Sequence, residues 1–318
     1  MSEAPVPQAA NIQPTAPEVE RSAEVAFLLD VDGVVTNPVE KKITEPQIFD
    51  AIISNLTQGN PVALNTGRSN EWMIDRVIKP LNEKVDDKGL LKNFFAVGEK
   101  GLTWTSFAPD GKLTQGVFNR EGLPVEGYDL SVFLDAATVE HFKTLSQEAR
   151  DLITKKYGHS TFFDASKKAM VSTEMHDGYD QPKYAAEQVQ FTQELQDILK
   201  RLCLADKFKV DPTTIATDIQ LNHVGKHLGA QRVLDWLKRS KIAPKHYVAV
   251  GDSSSDIEMA DELKKQGKSY EFRYVNPTKP LKPEQMKNEK GEPYNIKNST
   301  AAYGNGLVEV FDSLKKAV

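Results

Sequence analysis

The chain has 318 residues, 39% of them apolar and 27% charged, with a formal net charge of −5, which is room for two compact modules, each with its own core. No run approaches the roughly 18 consecutive apolar residues of a membrane-spanning helix, and the start lacks the basic flank and apolar stretch of a secretory signal, so a cytoplasmic protein away from membranes is expected. A single cysteine, Cys203, excludes an internal disulfide or a multi-Cys zinc site, and a pI near 5.8 argues against general nucleic-acid binding.

Residues 1–22 are rich in Pro, Ala, Gln and Glu with few large apolar groups, a composition that predicts a disordered tail. Order is expected from Val25, where a continuous apolar run to Leu29 suits a strand buried on both faces. Thr44 with Gln47 has the spacing of a capping box. It precedes a helix through Ile48, Phe49, Ile52, Ile53 and Leu56 that Gly59 would end. Val62 to Leu64 reads as the next strand and Trp72 to Ile78 as the next helix, an alternation that implies a parallel sheet. The pattern then changes. Phe94 to Val97 and Leu102 to Phe107, with the Pro109-Asp110-Gly111 turn, predict antiparallel strands. Two helical patterns follow, Val139 to Ile153 and Phe191 to Leu202, the second placing Cys203 in the core. Strands are expected at Ala169 to Thr173 and Ile215 to Leu221, the latter alternating as if one face were covered. From Lys226 the parallel theme returns, with a helix through Leu237 and strands at Tyr247 to Val250 and Phe272 to Val275. Residues 277–299 read as a surface loop, and Gly306 to Leu314 as a closing strand and helix. The expected fold class is therefore α/β: a discontinuous core, 23–85 plus 224–318, interrupted by an α+β module, 86–223.

Four segments fall at or near the carboxyl ends of expected parallel strands, where open α/β sheets bind ligands. Asp30-Val31-Asp32-Gly33 offers two carboxylates two residues apart, one able to attack or hold a metal and the other to transfer protons. A calcium loop is excluded, because its glycine belongs at position six and Gly33 is at position four. Asn65-Thr66-Gly67-Arg68 combines a hydroxyl, a glycine and a helix start, which suits a phosphate oxygen, although Thr66 serves equally as an ordinary helix cap. Asp252 and Asp256 flank a serine-rich loop that could cage a hard cation or simply start a helix. Lys226, alone at a helix start, carries little weight by itself. The six histidines show no ligand spacing.

Taken in order, the four segments resemble the motifs of the haloacid dehalogenase-like (HAD) superfamily of phosphatases, over roughly residues 24–314. The resemblance implies a Rossmann-like core with an inserted type-2 cap, as in Cof-like and sucrose-phosphatase-like sugar phosphatases. It implies Asp30 as the nucleophile that forms an aspartyl-phosphate and Asp32 as the acid/base. Thr66 and Lys226 would hold the phosphate and neutralise charge, with Asn65, Gly67 and Arg68 beside the substrate. It also implies Mg²⁺ held by Asp30, by Asp32 through its main chain, and by Asp252 and Asp256. Two departures stand out. Lys100, in Glu99-Lys100-Gly101, replaces the asparagine usual in such proteins, which bears on cap docking or substrate contact, and Ser253 replaces the asparagine of many Cof-like members.

The expected activity is hydrolysis of a small phosphate ester, most naturally a sugar phosphate. A phosphomutase of the phosphomannomutase kind and a non-catalytic metabolite-binding protein are the alternatives. Product analysis separates the first, and loss of a nucleophile or metal carboxylate, not seen here, would mark the second. Within the inserted module Glu174, His176, Asp177, Tyr179 and Lys183 are the polar candidates for substrate contact.

Overall fold

Strand β1 (Arg21–Leu29) begins four residues ahead of the apolar run. It pairs in parallel with β11 (Ile242–Gly251) from Arg21 opposite Ile242 to Leu29 opposite Val250. Main-chain ladder bonds extend the strand whatever its side chains, so Arg21 and Ser22, expected in the tail, belong to the sheet. The structure, a computed structural model, describes residues 20–108 and 110–315, and the rest of the expected tail lies outside them.

β1 and β11 sit near the middle of a nine-stranded sheet. To one side of β11 lie β12 (Tyr270–Tyr274) and β13 (Ile296–Asn298); beyond β1 come β2 (Val62–Asn65), β3 (Phe94–Gly98), β4 (Thr103–Phe107), β5 (Leu113–Phe118) and β6 (Pro124–Glu126). The six strands from β13 to β3 are parallel, and β4 to β6 continue as an antiparallel meander. Successive side chains alternate between two cores. Phe27 and Leu29 meet α1 (Gln47–Thr57) and α8 (Tyr303–Lys315), while Ala26 and Leu28 meet α6 (Lys226–Arg239) and α7 (Ile257–Lys265). This double cover explains why the parallel strands are apolar throughout. Between β2 and β3, α2 (Asn70–Met73) runs through a π-helical turn, Ile74–Ile78, into α3 (Lys79–Lys84). Pro80 has no N–H and crowds the carbonyl four residues back, and the widened turn absorbs that conflict.

A second, four-stranded antiparallel sheet has the order β7 (Thr161–Phe163), β8 (Val171–Met175), β10 (Ala216–Leu221), β9 (Phe208–Pro212). Helices α4 (Ala136–Leu152) and α5 (Gln181–Arg201) pack on one face, burying Phe142, Leu145, Phe191, Leu195 and Ile219 in a third core. The other face turns toward the large sheet.

Several expectations need correction. The boundary at 86 is too early: β3 extends the parallel sheet and the hairpin after it continues the same ladder, so 94–126 belong with the core sheet. Helix α1 starts at Gln47 after Pro46 with no side-chain cap, because the Thr44 hydroxyl donates to Glu45 instead (2.7 Å). The 277–299 segment contains the edge strand β13, so the closing strand precedes 306 and only helix follows. Strand β8 starts two residues later than expected, since the N–H groups of Lys168, Ala169 and Met170 bond Glu99 rather than a neighbouring strand. β10 is buried on both faces, not one. Cys203 is exposed, in a left-handed conformation (φ 54°) just past the end of α5. Among the described residues no helix is long and apolar enough to cross a membrane.

Candidate active site

The chain runs from β1 outward to β2 and β3, then returns to add β11, β12 and β13 on the other side. The carboxyl ends of β1 and β11 therefore flank the point where the winding reverses, the place where such sheets open a crevice. Asp30 follows β1, Thr66 follows β2, and Asp252 follows β11. These side chains line a cleft of about 300 Å³ together with Asp32, Gly67, Arg68, Lys226 and Asp256.

At its floor Lys226, the first residue of α6, joins three elements. Its Nζ lies 2.5 Å from Asp30 Oδ1 and 2.8 Å from Asp256 Oδ1, and donates to the Asn65 carbonyl at 2.9 Å. Burial alone would lower its pKa, but Asp256 and Asp30 outweigh that and hold the ammonium above its usual range. The second Asp256 oxygen accepts from Ser253 N (3.0 Å), Ser253 Oγ (2.7 Å) and Asp252 N (3.2 Å), tying down the turn into α7. Ser253, a departure at the sequence level, thus acts as the cap of that turn.

Oxygens of Asp30, Asp252 and Asp256 lie within 4.8 Å of one another. Burial and the neighbouring carboxylates push Asp30 well above its ordinary range, and burial with Asp256 lifts Asp252 to about 7. Three crowded carboxylates against one ammonium are short of positive charge, and the all-oxygen donor set fits a hard divalent cation. The Asp32 side chain stands outside this cluster. Gly33 adopts φ +74°, and a Cβ there would fall 2.2 Å from Asp252 Oδ2, so only glycine lets the two loops approach.

Arg68 does not stand free for a phosphate. Its Nε and Nη2 donate to the two oxygens of Asp32 (2.8 and 3.0 Å), and its Nη1 reaches Glu174 on β8 (2.9 and 3.1 Å). Its guanidinium also lies 4.7 Å from the Trp72 ring centroid. Thr66 Oγ1 accepts from the Arg68 N–H at 3.2 Å and also faces the cleft. Asn65 is elsewhere. It is fully buried, its amide donates to the Lys226 carbonyl (2.8 Å), and its Oδ1 lies against Gly229, where a Cβ would be 1.9 Å away. It secures the start of α6 rather than lining the cleft, because β2 side chains alternate and this one points to the helix layer.

Of the five polar candidates in the small-sheet module, only Glu174 lines the cleft. Asp177 pairs with Lys41 (2.5 Å) on the exposed rim, His176 meets the Gly158 carbonyl, Tyr179 donates to Glu187, and the Lys183 N–H caps onto Asp180. Two cleft groups, Lys167 and Asp218, had no reading as site residues. Lys167 is buried and donates to Ser172 Oγ (2.9 Å) and Asp218 Oδ1 (3.2 Å); Asp218 also pairs with Lys100 (3.0 Å). Burial would raise Asp218, but Lys167 and Lys100 hold it at about 2. Lys100 further reaches Asp211 and Gln220, each at 2.7 Å, so this departure from the family pattern docks one module on the other. The alternation in β10 was the available signal: Asp218 and Gln220 share one face with Ala216, toward the cleft. Nothing in the sequence around Lys167 distinguishes it from a solvated basic pair.

The fold is shared by solved phosphatases. ATP-bound IMP-nucleotidase from Plasmodium falciparum superposes with a TM-score of 0.53 at 14% identity, over 74% of this chain and 55% of that one. Trehalose-6-phosphate phosphatase from Aspergillus fumigatus gives 0.51 at 13% identity, over 92% and 93%. This is the HAD fold. The chain spans about half the length of the nucleotidase and nearly all of the trehalose-6-phosphate phosphatase. No family model matches it, and no curated protein matches it in sequence.

Proposed function

We propose that this HAD-fold chain is a magnesium-dependent phosphatase of a small phosphorylated metabolite, with the four-stranded module as its cap. The observation that carries this reading is the placement of Asp30 in the crevice, 2.5 Å from Lys226 and beside Asp252 and Asp256. A phosphate monoester repels an attacking anion, so a carboxylate nucleophile needs positive charge around the transferring group. Lys226 supplies one such charge next to the attacking oxygen. A divalent cation held by Asp30, Asp252 and Asp256, with the Asp32 main chain, would add charge against the phosphate oxygens.

In this reading an Asp30 oxygen attacks phosphorus as the bridging P–O bond breaks, and Asp32 gives its proton to the departing alcohol oxygen. Asp32 then takes a proton from the water that cleaves the aspartyl-phosphate, releasing inorganic phosphate and restoring Asp30. Thr66 and Gly67 present a hydroxyl and an open backbone to the phosphate.

The substrate is a sugar phosphate rather than a nucleotide. The cleft lining contains Pro38, Thr213, Thr214, Ile215 and Ala216 with charged groups but, among the described residues, no aromatic ring on which a base could stack. Wild type assayed with magnesium on a panel of sugar phosphates, nucleoside monophosphates and aryl phosphates should release phosphate fastest from a sugar phosphate, and Asp30→Asn should release none. The reading is lost if wild type is no faster than Asp30→Asn on every ester.

A further inference from the structure

We propose that Glu174, on the cap, is a positioning residue for the acid/base Asp32 and acts through Arg68; the inference rests on the phosphatase reading above. Arg68 and Glu174 are both buried, their side chains 8% and 7% exposed. The guanidinium fork divides its donors between two carboxylates on different modules, Asp32 after β1 and Glu174 on β8. Each part of the bridge is braced. The Arg68 N–H is held by Thr66, its carbonyl accepts from the Glu99 N–H (3.0 Å), and its guanidinium lies over Trp72. Glu174 is opposite Ala216 in the β8–β10 ladder, and its carbonyl accepts from Thr161 Oγ1 (2.7 Å).

A bidentate fork fixes the plane of the carboxylate it grips. Here that carboxylate must present an oxygen to the ester. A carboxylate has about four lone-pair positions, and the fork takes one on each Asp32 oxygen, leaving the others for the leaving group and for water. Without the Glu174 carboxylate the guanidinium loses one of its two carboxylate partners, and with it both Nη1 hydrogen bonds, and becomes free to turn, taking the Asp32 plane with it. The contact is not needed to dock the module, since Glu99 already accepts from three N–H groups of 168–170, and Lys100 already reaches Asp211, Asp218 and Gln220. Its distinctive effect is on proton delivery: as the Asp30 O–P bond forms and the bridging P–O bond breaks, the Asp32 proton moves to the alcohol oxygen. That transfer matters when the leaving alcohol is a poor one and not when it is a good one.

The test is Glu174→Gln, which keeps shape and removes charge, with kcat/KM measured on an alkyl phosphate and on p-nitrophenyl phosphate. This ratio reports steps up to loss of the alcohol, so the later water step does not enter. Expected are a fall of tenfold or more on the alkyl ester, a fall below threefold on the aryl ester, and a steeper dependence of log kcat/KM on leaving-group pKa. In an Asp32→Asn background Glu174→Gln should add no further loss on the alkyl ester, because the two changes then act on one step. An equal fall on both esters, or no fall on either, overturns the proposal while wild-type turnover and the inactive Asp30→Asn still uphold the phosphatase reading. If Glu174→Gln does not fold, Arg68→Lys, which can grip only one carboxylate oxygen, must show the same split or the proposal fails. The alkyl ester is the sugar phosphate that wild type turns over fastest; a wild type no faster than Asp30→Asn on every ester of the panel removes the phosphatase reading and this inference with it.

Discussion

Two buried carboxyl groups, Glu99 and Asp252, are each held at about 7 by the loss of solvent around them. In both, the folded value lies above the unfolded one, so the folded state binds the extra proton and stability falls as pH rises from about 5 through 7. Metal-free protein should therefore be more stable to denaturant at pH 5.5 than at 7.5, by about 2 kcal/mol for each group, given about 1.4 kcal/mol per pKa unit. Magnesium should cancel the Asp252 part and leave the Glu99 part, which Glu99→Gln should abolish; equal slopes with and without the ion would refute the assignment of Asp252 to the metal cluster. Gly33→Ala meets both an unfavourable φ and the Asp252 carboxylate. It should cost about 1–3 kcal/mol of stability and weaken magnesium binding, measured by denaturant midpoint and by titration calorimetry. At this scale the gathering of Asp30, Asp32, Thr66, Gly67, Lys226, Asp252 and Asp256 around one cleft was legible, because each stands just after or near a recognisable strand. The placement of Asn65 was not legible, since its neighbours face the cleft but alternation turns it to the helix layer. Lys167 was invisible because burial of a lysine depends on what folds over it.

Among the elements, the left-handed turn Glu99-Lys100-Gly101 between β3 and β4 is the joint between the two sheets. Glu99 (φ 46°) and Lys100 (φ 55°) both hold a backbone conformation unfavourable for side-chain-bearing residues, and each spends its side chain on the small-sheet module. Asparagine tolerates that conformation better but is too short for Asp211 and Asp218. Lys100→Asn should therefore lose more than it gains, destabilising by about 1–3 kcal/mol because charged hydrogen bonds of that size are removed. Amide exchange in β9 and β10 should accelerate before that in β1; uniform acceleration everywhere would contradict a docking role. The turn's position could be read from the motif pattern, but the partners of Lys100 lie more than a hundred residues away, in strands whose polar residues resemble an ordinary solvated face until β10 is seen covered on both sides. The same long-range cause displaced the start of β8, where N–H groups bond Glu99.

For the whole molecule, the parallel alternation was legible from periodicity alone, while the place where the small-sheet module begins was not. Antiparallel hairpins that extend a parallel sheet and hairpins that leave it share one local pattern, and only edge pairing decides between them. If the two modules close over a transferring phosphate, beryllofluoride with magnesium should raise the melting temperature, the stabilisation growing with the logarithm of ligand excess to about 2.7 kcal/mol at a hundred times the dissociation constant. Asp30→Asn should remove that rise; a rise that persists would place the analogue elsewhere. The connection back from β10 to α6 sets a limit on how far such closure can be undone. Only five Cα steps separate Leu221 from Lys226, a reach of at most about 17 Å when fully drawn out. Lys226, paired with Asp30, is thus the anchor of a short leash: if the small-sheet module swings aside to admit an ester, the end of β10 stays within one leash length of that lysine.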